Sequence, residues 1–245
     1  MEQNLIKSEP LGCGHYIYVS HHHNFGTDAI LLADFARPKN KDRIVDLGTG
    51  CGIIPMLMHR HTDFKSAVGV DISKEACRLA VRSVNEQNID NISVVCSNLT
   101  ELKGKVEFGI NTLVTCNPPY KKNGAGLQNP DSVCRTARHE IACTLEDIVG
   151  VSAKLLQTSG RLCMCHRPER LTDLICLMRQ YKIEPKRLRT VAQRKGESPW
   201  LVLVEGRRCG NSGLTVEPQL YIEENGEFSD EMIKIYGSYK EAFLK

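Results

Sequence analysis

The stretch Val45-Asp46-Leu47-Gly48-Thr49-Gly50-Cys51-Gly52 constrains the fold most strongly. Ile44 and Val45 form an apolar run, three glycines follow at alternate positions, and a helix-compatible stretch runs from Ile53 to Arg60. Glycines at a strand end let the backbone turn tightly and approach a ligand, whose polar groups meet the free N–H groups of the next helix. A second apolar run, Ala67 to Val70, ends at Asp71, about twenty residues past the loop. This is a strand, helix, strand unit, and in doubly wound sheets an acid at that point accepts hydrogen bonds from the two hydroxyls of a ribose.

The same alternation continues. Ser73 caps a helix over Lys74 to Gln87, Ile92 to Cys96 and Phe108 to Cys116 read as strands, and Leu145 to Gln157 reads as a helix. Arg161 to His166 is a strand, and Pro168 to Gln180 a helix with proline in its first turn. Arg187 to Ala192 and Trp200 to Glu205 are expected to pair as an antiparallel hairpin, with Trp200 in the core. Ser229 to Lys245 is expected to dock as a helix. Strands alternating with helices predict an α/β sheet, parallel through most of its width.

The 245 residues suit one large domain: a segment over 1–40, a core over 41–208 and an acidic extension over 209–245. Eleven cysteines invite a disulfide framework, but the number is odd and no C-x-x-C pair occurs. A reducing, cytosolic setting with thiols as small apolar fillers follows. Cys163 and Cys165 share one strand face and are expected to pack there. Cys51 in the loop and Cys116 further on are expected to line the site and to be open to alkylation. His21, His22 and His23 cannot easily share one face, so no metal is expected. No stretch approaches the ~20 apolar residues of a membrane span.

Charge is unevenly spread. Between Lys182 and Arg208 stand eight basic residues against three acids, and after Cys209 three lysines against seven acids. The basic segment fits a polyanion such as RNA, or else a solvated face.

A dinucleotide fingerprint needs its third glycine at position 53, which is Ile53. The string here, an acid followed by G-x-G-x-G, resembles the first motif of the S-adenosylmethionine methyltransferases. Asp46 would repel a pyrophosphate but helps hold the ammonium end of a methionine, directly or through water. Asn117-Pro118-Pro119-Tyr120 follows the fourth strand, at the sheet edge where ligands bind. The prolines stiffen the loop. The Asn117 amide oxygen and the Pro118 carbonyl can both accept from one NH₂ group, and Tyr120 offers a face for stacking a base. The tetrad resembles the (D/N/S)-P-P-(Y/F) motif of amino-methyltransferases, which act on exocyclic base amines or on a glutamine amide.

His23-Asn24-Phe25-Gly26-Thr27-Asp28-Ala29-Ile30-Leu31-Leu32, with the glycine loop, Asp71, the tetrad and Arg138-His139-Glu140, resembles bacterial enzymes that methylate N(6) of an adenine beside the anticodon of a valine tRNA. The resemblance implies a Rossmann-like class I fold with a seven-stranded, mostly parallel sheet and helices on both faces. It implies S-adenosylmethionine as cofactor, tRNA as partner, and catalysis by Asn117, Pro118, Pro119 and Tyr120. Cofactor contacts are implied at Phe25, Gly26, Thr27, Asp46, Gly48, Thr49, Gly50, Gly52, Asp71, Ile72, Asn98, Leu99 and Asn117. Asn98 stands where relatives usually carry an Asp facing the cofactor adenine, and its amide oxygen can still accept. Lys121, Lys122, Arg135, Arg138 and His139 are candidates for the RNA backbone. Release-factor glutamine methyltransferases share the tetrad but carry a helical N-terminal domain, for which only about 40 residues are available here.

Overall fold

The computed structural model describes residues 6–118 and 143–237. An antiparallel hairpin comes first, β1 (Lys7–Gly12) and β2 (His15–Val19), followed by α1 (Thr27–Ala36). The strand, helix, strand unit is β3 (Arg43–Leu47), α2 (Ile53–His59) and β4 (Ser66–Asp71). Then come α3 (Lys74–Glu86), β5 (Ile92–Cys96), β6 (Asn111–Cys116), α4 (Leu145–Leu155), β7 (Leu156–His166), α5 (Leu171–Gln180), β8 (Ile183–Ala192) and β9 (Leu201–Arg208). The tail adds the two-residue strands β10 (Thr215–Val216), β11 (Leu220–Tyr221), β12 (Glu223–Glu224) and β13 (Glu227–Phe228), and the helix α6 (Asp230–Tyr236).

The main sheet runs β5-β4-β3-β6-β7-β9-β8. The first five of these strands are parallel, and β9 is antiparallel to both of its neighbours. The expected late hairpin is therefore present as β8 and β9. Seven strands were expected; β10 and β11 add to the outer edge of β8 and make nine.

Alternation along the strands separates two cores, because successive side chains leave opposite faces. Ile44, Leu113, Cys163, Cys165 and Leu203 face one layer, where α1, α2 and α3 pack. Val45, Val114, Leu162, Met164 and Val204 face the other, covered by α4 and α5. Met232 and Ile235 dock α6 onto the first layer, and Trp200 is half-buried against it.

Element boundaries follow local chemistry. The Ser73 hydroxyl accepts from Ala76 N–H and starts α3, as read from the sequence. Thr144 and Asp147 form a reciprocal capping box on α4. That helix stops at Leu155, two residues early, because Leu156 is already extended and opens β7. The stretch from Pro168 splits into a 3₁₀ turn and α5.

The β1–β2 hairpin was not anticipated. It is clamped to α3: Tyr18 N–H donates to Ser83 Oγ at 2.9 Å, and the Gln87 amide bonds both the N–H and the carbonyl of Tyr16.

Candidate active site

Leu47 of β3 stands opposite Cys116 of β6, so Gly48 and Asn117 leave the sheet side by side. The connections run from β3 through β4 to β5, and then return to β6 on the other side of β3. Strand order reverses between β3 and β6, the place where open α/β sheets bind ligands.

Gly48, Gly50 and Gly52 all have positive φ, at 72°, 57° and 89°. At Gly52 an added Cβ would also stand 3.1 Å from the Ala80 Cβ, so the loop lies directly against α3. Asp71 ties the loop to that helix: one carboxylate oxygen accepts from Gly50 N–H and the other from Ser73 N–H, each at 2.8 Å. Ile72, next to Asp71, is 46% exposed, an apolar surface at the strand end. Asn98 is half-buried, and its Oδ1 accepts from the N–H and hydroxyl of Thr100, each at 3.0 Å. Its side chain thus caps the 3₁₀ turn that begins at Leu99.

Asp46 lies beneath the loop and is 0% exposed. One oxygen accepts from the Thr115 hydroxyl at 2.6 Å, while the other has no hydrogen-bond partner. Burial pushes this carboxyl up to about 7, against the opposing effect of the Thr115 hydroxyl, and the charge of Asp71 adds to the rise. A buried, half-satisfied carboxylate next to a ligand loop suits a ligand that brings positive charge. Thr115, two residues before Asn117, was missed in the sequence, because only strand pairing reveals its role.

Asn117 is half-buried at the end of β6, and Pro118 is buried. The Asn117 Oδ1 accepts from the Cys165 thiol at 3.0 Å. Pro119, Tyr120, Lys121, Lys122, Arg135, Arg138 and His139 lie outside the described residues.

The segment before α1 reaches the Asp71 side of the loop. His23 Nε2 lies 3.1 Å from Ser73 Oγ, and Ser20 Oγ donates to Glu75 at 3.0 Å. Phe25 is half-buried against the first core layer, and Gly26 caps α1. The Thr27 hydroxyl is 3.3 Å from that of Tyr236 on α6. Among the described residues no cluster of three potential metal-ligating side chains occurs, and no helix is long and apolar enough to cross a membrane.

The basic segment does not lie wholly open, because the acidic tail folds back onto part of it and leaves Lys182, Lys195 and Arg207 exposed. Arg187 pairs with Glu217 at 3.2 Å, Arg194 with Glu223 at 2.6 Å, and Arg189 grips Glu231 through two 2.7 Å bonds. Nor are Cys51 and Cys116 open to alkylation. They are 1% and 2% exposed, and burial drives the first thiol up to about 12 and the second well above its ordinary value. Thiolate is the reactive form, so neither is a nucleophile near neutral pH. Cys163 and Cys165 are both fully buried on one strand face, as expected.

The strand order, the loop and the adjoining Asn-Pro define the fold of the S-adenosylmethionine-dependent methyltransferases. A family model described as the methyltransferase small domain matches residues 16–175. A tRNA1(Val) (adenine(37)-N6)-methyltransferase from Parabacteroides distasonis is 31% identical over 182 residues, 74% of this chain and 75% of the relative. The chain belongs to the methyltransferase small domain family and, within it, to the family of these tRNA1(Val) adenine methyltransferases. Among solved structures, a predicted O-methyltransferase from Agrobacterium tumefaciens superposes with a TM-score of 0.70 at 21% identity, covering 86% of this chain and 96% of that one. Geranyl diphosphate methyltransferase, solved with S-adenosylmethionine, gives 0.54 at 15% identity, covering 74% and 84%. At these identities the likeness is one of fold.

Proposed function

We propose that this chain transfers a methyl group from S-adenosylmethionine to the exocyclic N(6) amine of an adenine in tRNA, beside the anticodon. The observation that carries the reading is the abreast exit of Gly48 and Asn117 from β3 and β6, which sets a cofactor loop next to a paired acceptor. The names of its curated relatives support the choice of base and RNA.

In this reading the glycine loop receives the methionine end of the cofactor, Asp71 the ribose, and Ile72 and Leu99 the adenine, while Asn98, whose Oδ1 is taken up by Thr100 rather than left free for the adenine amine, shapes the turn beside it. Phe25, Gly26 and Thr27 cover it. When bound, the cofactor supplies an electrophilic sulfonium methyl. Asn117 Oδ1 and the Pro118 carbonyl accept the two N–H bonds of the target amine and turn its lone pair toward that methyl. The same acceptors stabilise the positive charge that builds on the nitrogen, so positioning does most of the work. Tyr120 stacks the base, and Lys121, Lys122, Arg135, Arg138 and His139 meet the RNA backbone. A loop base can be splayed out without breaking a duplex, which lowers the cost of reaching the site. Residues 41–208 carry the reaction in a cytosolic setting, and the acidic extension braces β8.

Asp46 gives the reading a pH signature. Burial holds its carboxyl raised to about 7. A cationic ammonium nearby favours the ionised form, so S-adenosylmethionine should bind more tightly above pH 7 and weaken as Asp46 becomes protonated. Calorimetric titration from pH 5.5 to 8.5 should show this slope in the wild type and a flat profile in Asp46→Asn. A flat wild-type profile would remove Asp46 from the cofactor site.

The substrate is tested with methyl-labelled S-adenosylmethionine and total tRNA, ribosomal RNA or release factor from a strain lacking the gene. Label is expected in tRNA alone. Label in a peptide glutamine or in ribosomal RNA would replace this reading with that of a neighbouring amino-methyltransferase.

A further inference from the structure

The carboxyl end of β7 lies next to the proposed catalytic strand. Cys116 is paired with Met164, so the following residues, Asn117 and Cys165, lie abreast. Cys165 is 0% exposed, and its Sγ is 3.0 Å from Asn117 Oδ1. Among the described residues this is the one hydrogen bond that the Asn117 side chain makes.

We infer that Cys165 is a positioning residue for methyl transfer, whose S–H holds the Asn117 amide with its oxygen, rather than its nitrogen, available to the target amine. The inference rests on the reading of Asn117 as the catalytic acceptor. The two ends of an Asn amide have nearly the same shape but opposite hydrogen-bond character. A flipped amide would set NH₂ against the NH₂ of an adenine, and no bond would form. The carbonyl oxygen has two lone pairs, one for the thiol and one for the amine. The thiol keeps its proton because burial, followed by the nearby charge of Asp28, holds it well above its ordinary pKa. It therefore serves as a donor throughout the neutral range. Cys163, two residues earlier on the same strand face, meets Glu205 at 3.8 Å instead and supplies an internal control.

Steady-state kinetics with tRNA, together with S-adenosylmethionine titration, test the role in Cys165→Ala, Cys165→Val, Cys165→Ser and Cys163→Ala. The Ala and Val variants should lose about fivefold to tenfold in kcat, the rate equivalent of one neutral hydrogen bond, with KM for tRNA and Kd for the cofactor within about twofold. Ser retains a donor and should stay within about twofold of wild type in kcat, as should Cys163→Ala. Should the Ala variant fail to fold, Val fills the sulfur's space and carries the comparison. Unchanged kcat in the Val variant, or equal losses in Val and Ser, would overturn the assignment. Asn117→Ala assayed alongside separates the two levels. If it stays active, the catalytic reading fails and the inference falls with it; if it is inactive while Cys165→Val works at full rate, only the positioning role is lost.

Discussion

Asn117→Ala is expected to lower methyl transfer by about 10²–10³-fold or more while leaving S-adenosylmethionine affinity within about twofold. The substitution removes one of the two acceptors proposed to align the amine, and it leaves the glycine loop and Asp71 in place. Asp71 bonds Gly50 and Ser73, and neither contact passes through Asn117. The loss should therefore fall on kcat. Asn117→Asp keeps an acceptor at the same place and matches the acidic form of the tetrad, so partial activity should survive. Single-turnover methylation together with calorimetric binding of the cofactor reads both quantities. Equal loss of binding and turnover in Asn117→Ala would mean that Asn117 holds the cofactor loop instead.

Arg161→Met is expected to destabilise the protein by about 3–5 kcal/mol, the cost of removing one member of a buried ion cluster. Arg161 is 8% exposed at the near end of β7 and bridges Asp42 at 3.1 Å and Glu205 at 3.5 Å. It also donates to the carbonyls of Ala36 at 2.7 Å and Arg37 at 3.3 Å, which close α1. Arg187 completes the cluster through Glu205 at 2.9 Å and the Phe35 carbonyl. Two guanidinium groups thus meet the negative end of the α1 dipole. Without Arg161, Asp42 and Glu205 remain buried with too little positive charge around them. The helix anchored here begins at Thr27, in the segment proposed to cover the cofactor. Chemical denaturation measures the loss in stability, and a change under 1 kcal/mol would mean that the cluster is not energetically coupled.

Much of this architecture is legible in the chain because it rests on local patterns. The loop glycines announce positive φ, Ser73 announces a helix start, and the alternation of Ile44 with Val45 or Cys163 with Met164 marks strands buried on both faces. The β1–β2 hairpin escapes such reading because Pro10 interrupts its first strand and half of that strand is exposed. The acidic tail is visible as composition, but which arginine each glutamate meets depends on chain reversals that no short pattern records. Glu231, for example, reaches back 42 residues to Arg189. The Cys165 contact is of the same kind, spanning 48 residues through the register of β6 and β7. Thr115 shows the intermediate case, close to Asn117 in sequence but recognisable only when β3 places Asp46 beside it.

The regiochemistry of the product tests the central claim most directly. After methylation of tRNA from a strain lacking the gene, nucleoside mass analysis of the anticodon-loop fragment should find the new methyl on the exocyclic nitrogen, as N(6)-methyladenosine beside the anticodon. A methyl on a ring nitrogen or carbon of adenine, or on the ribose, would contradict an acceptor pair built around an NH₂ group.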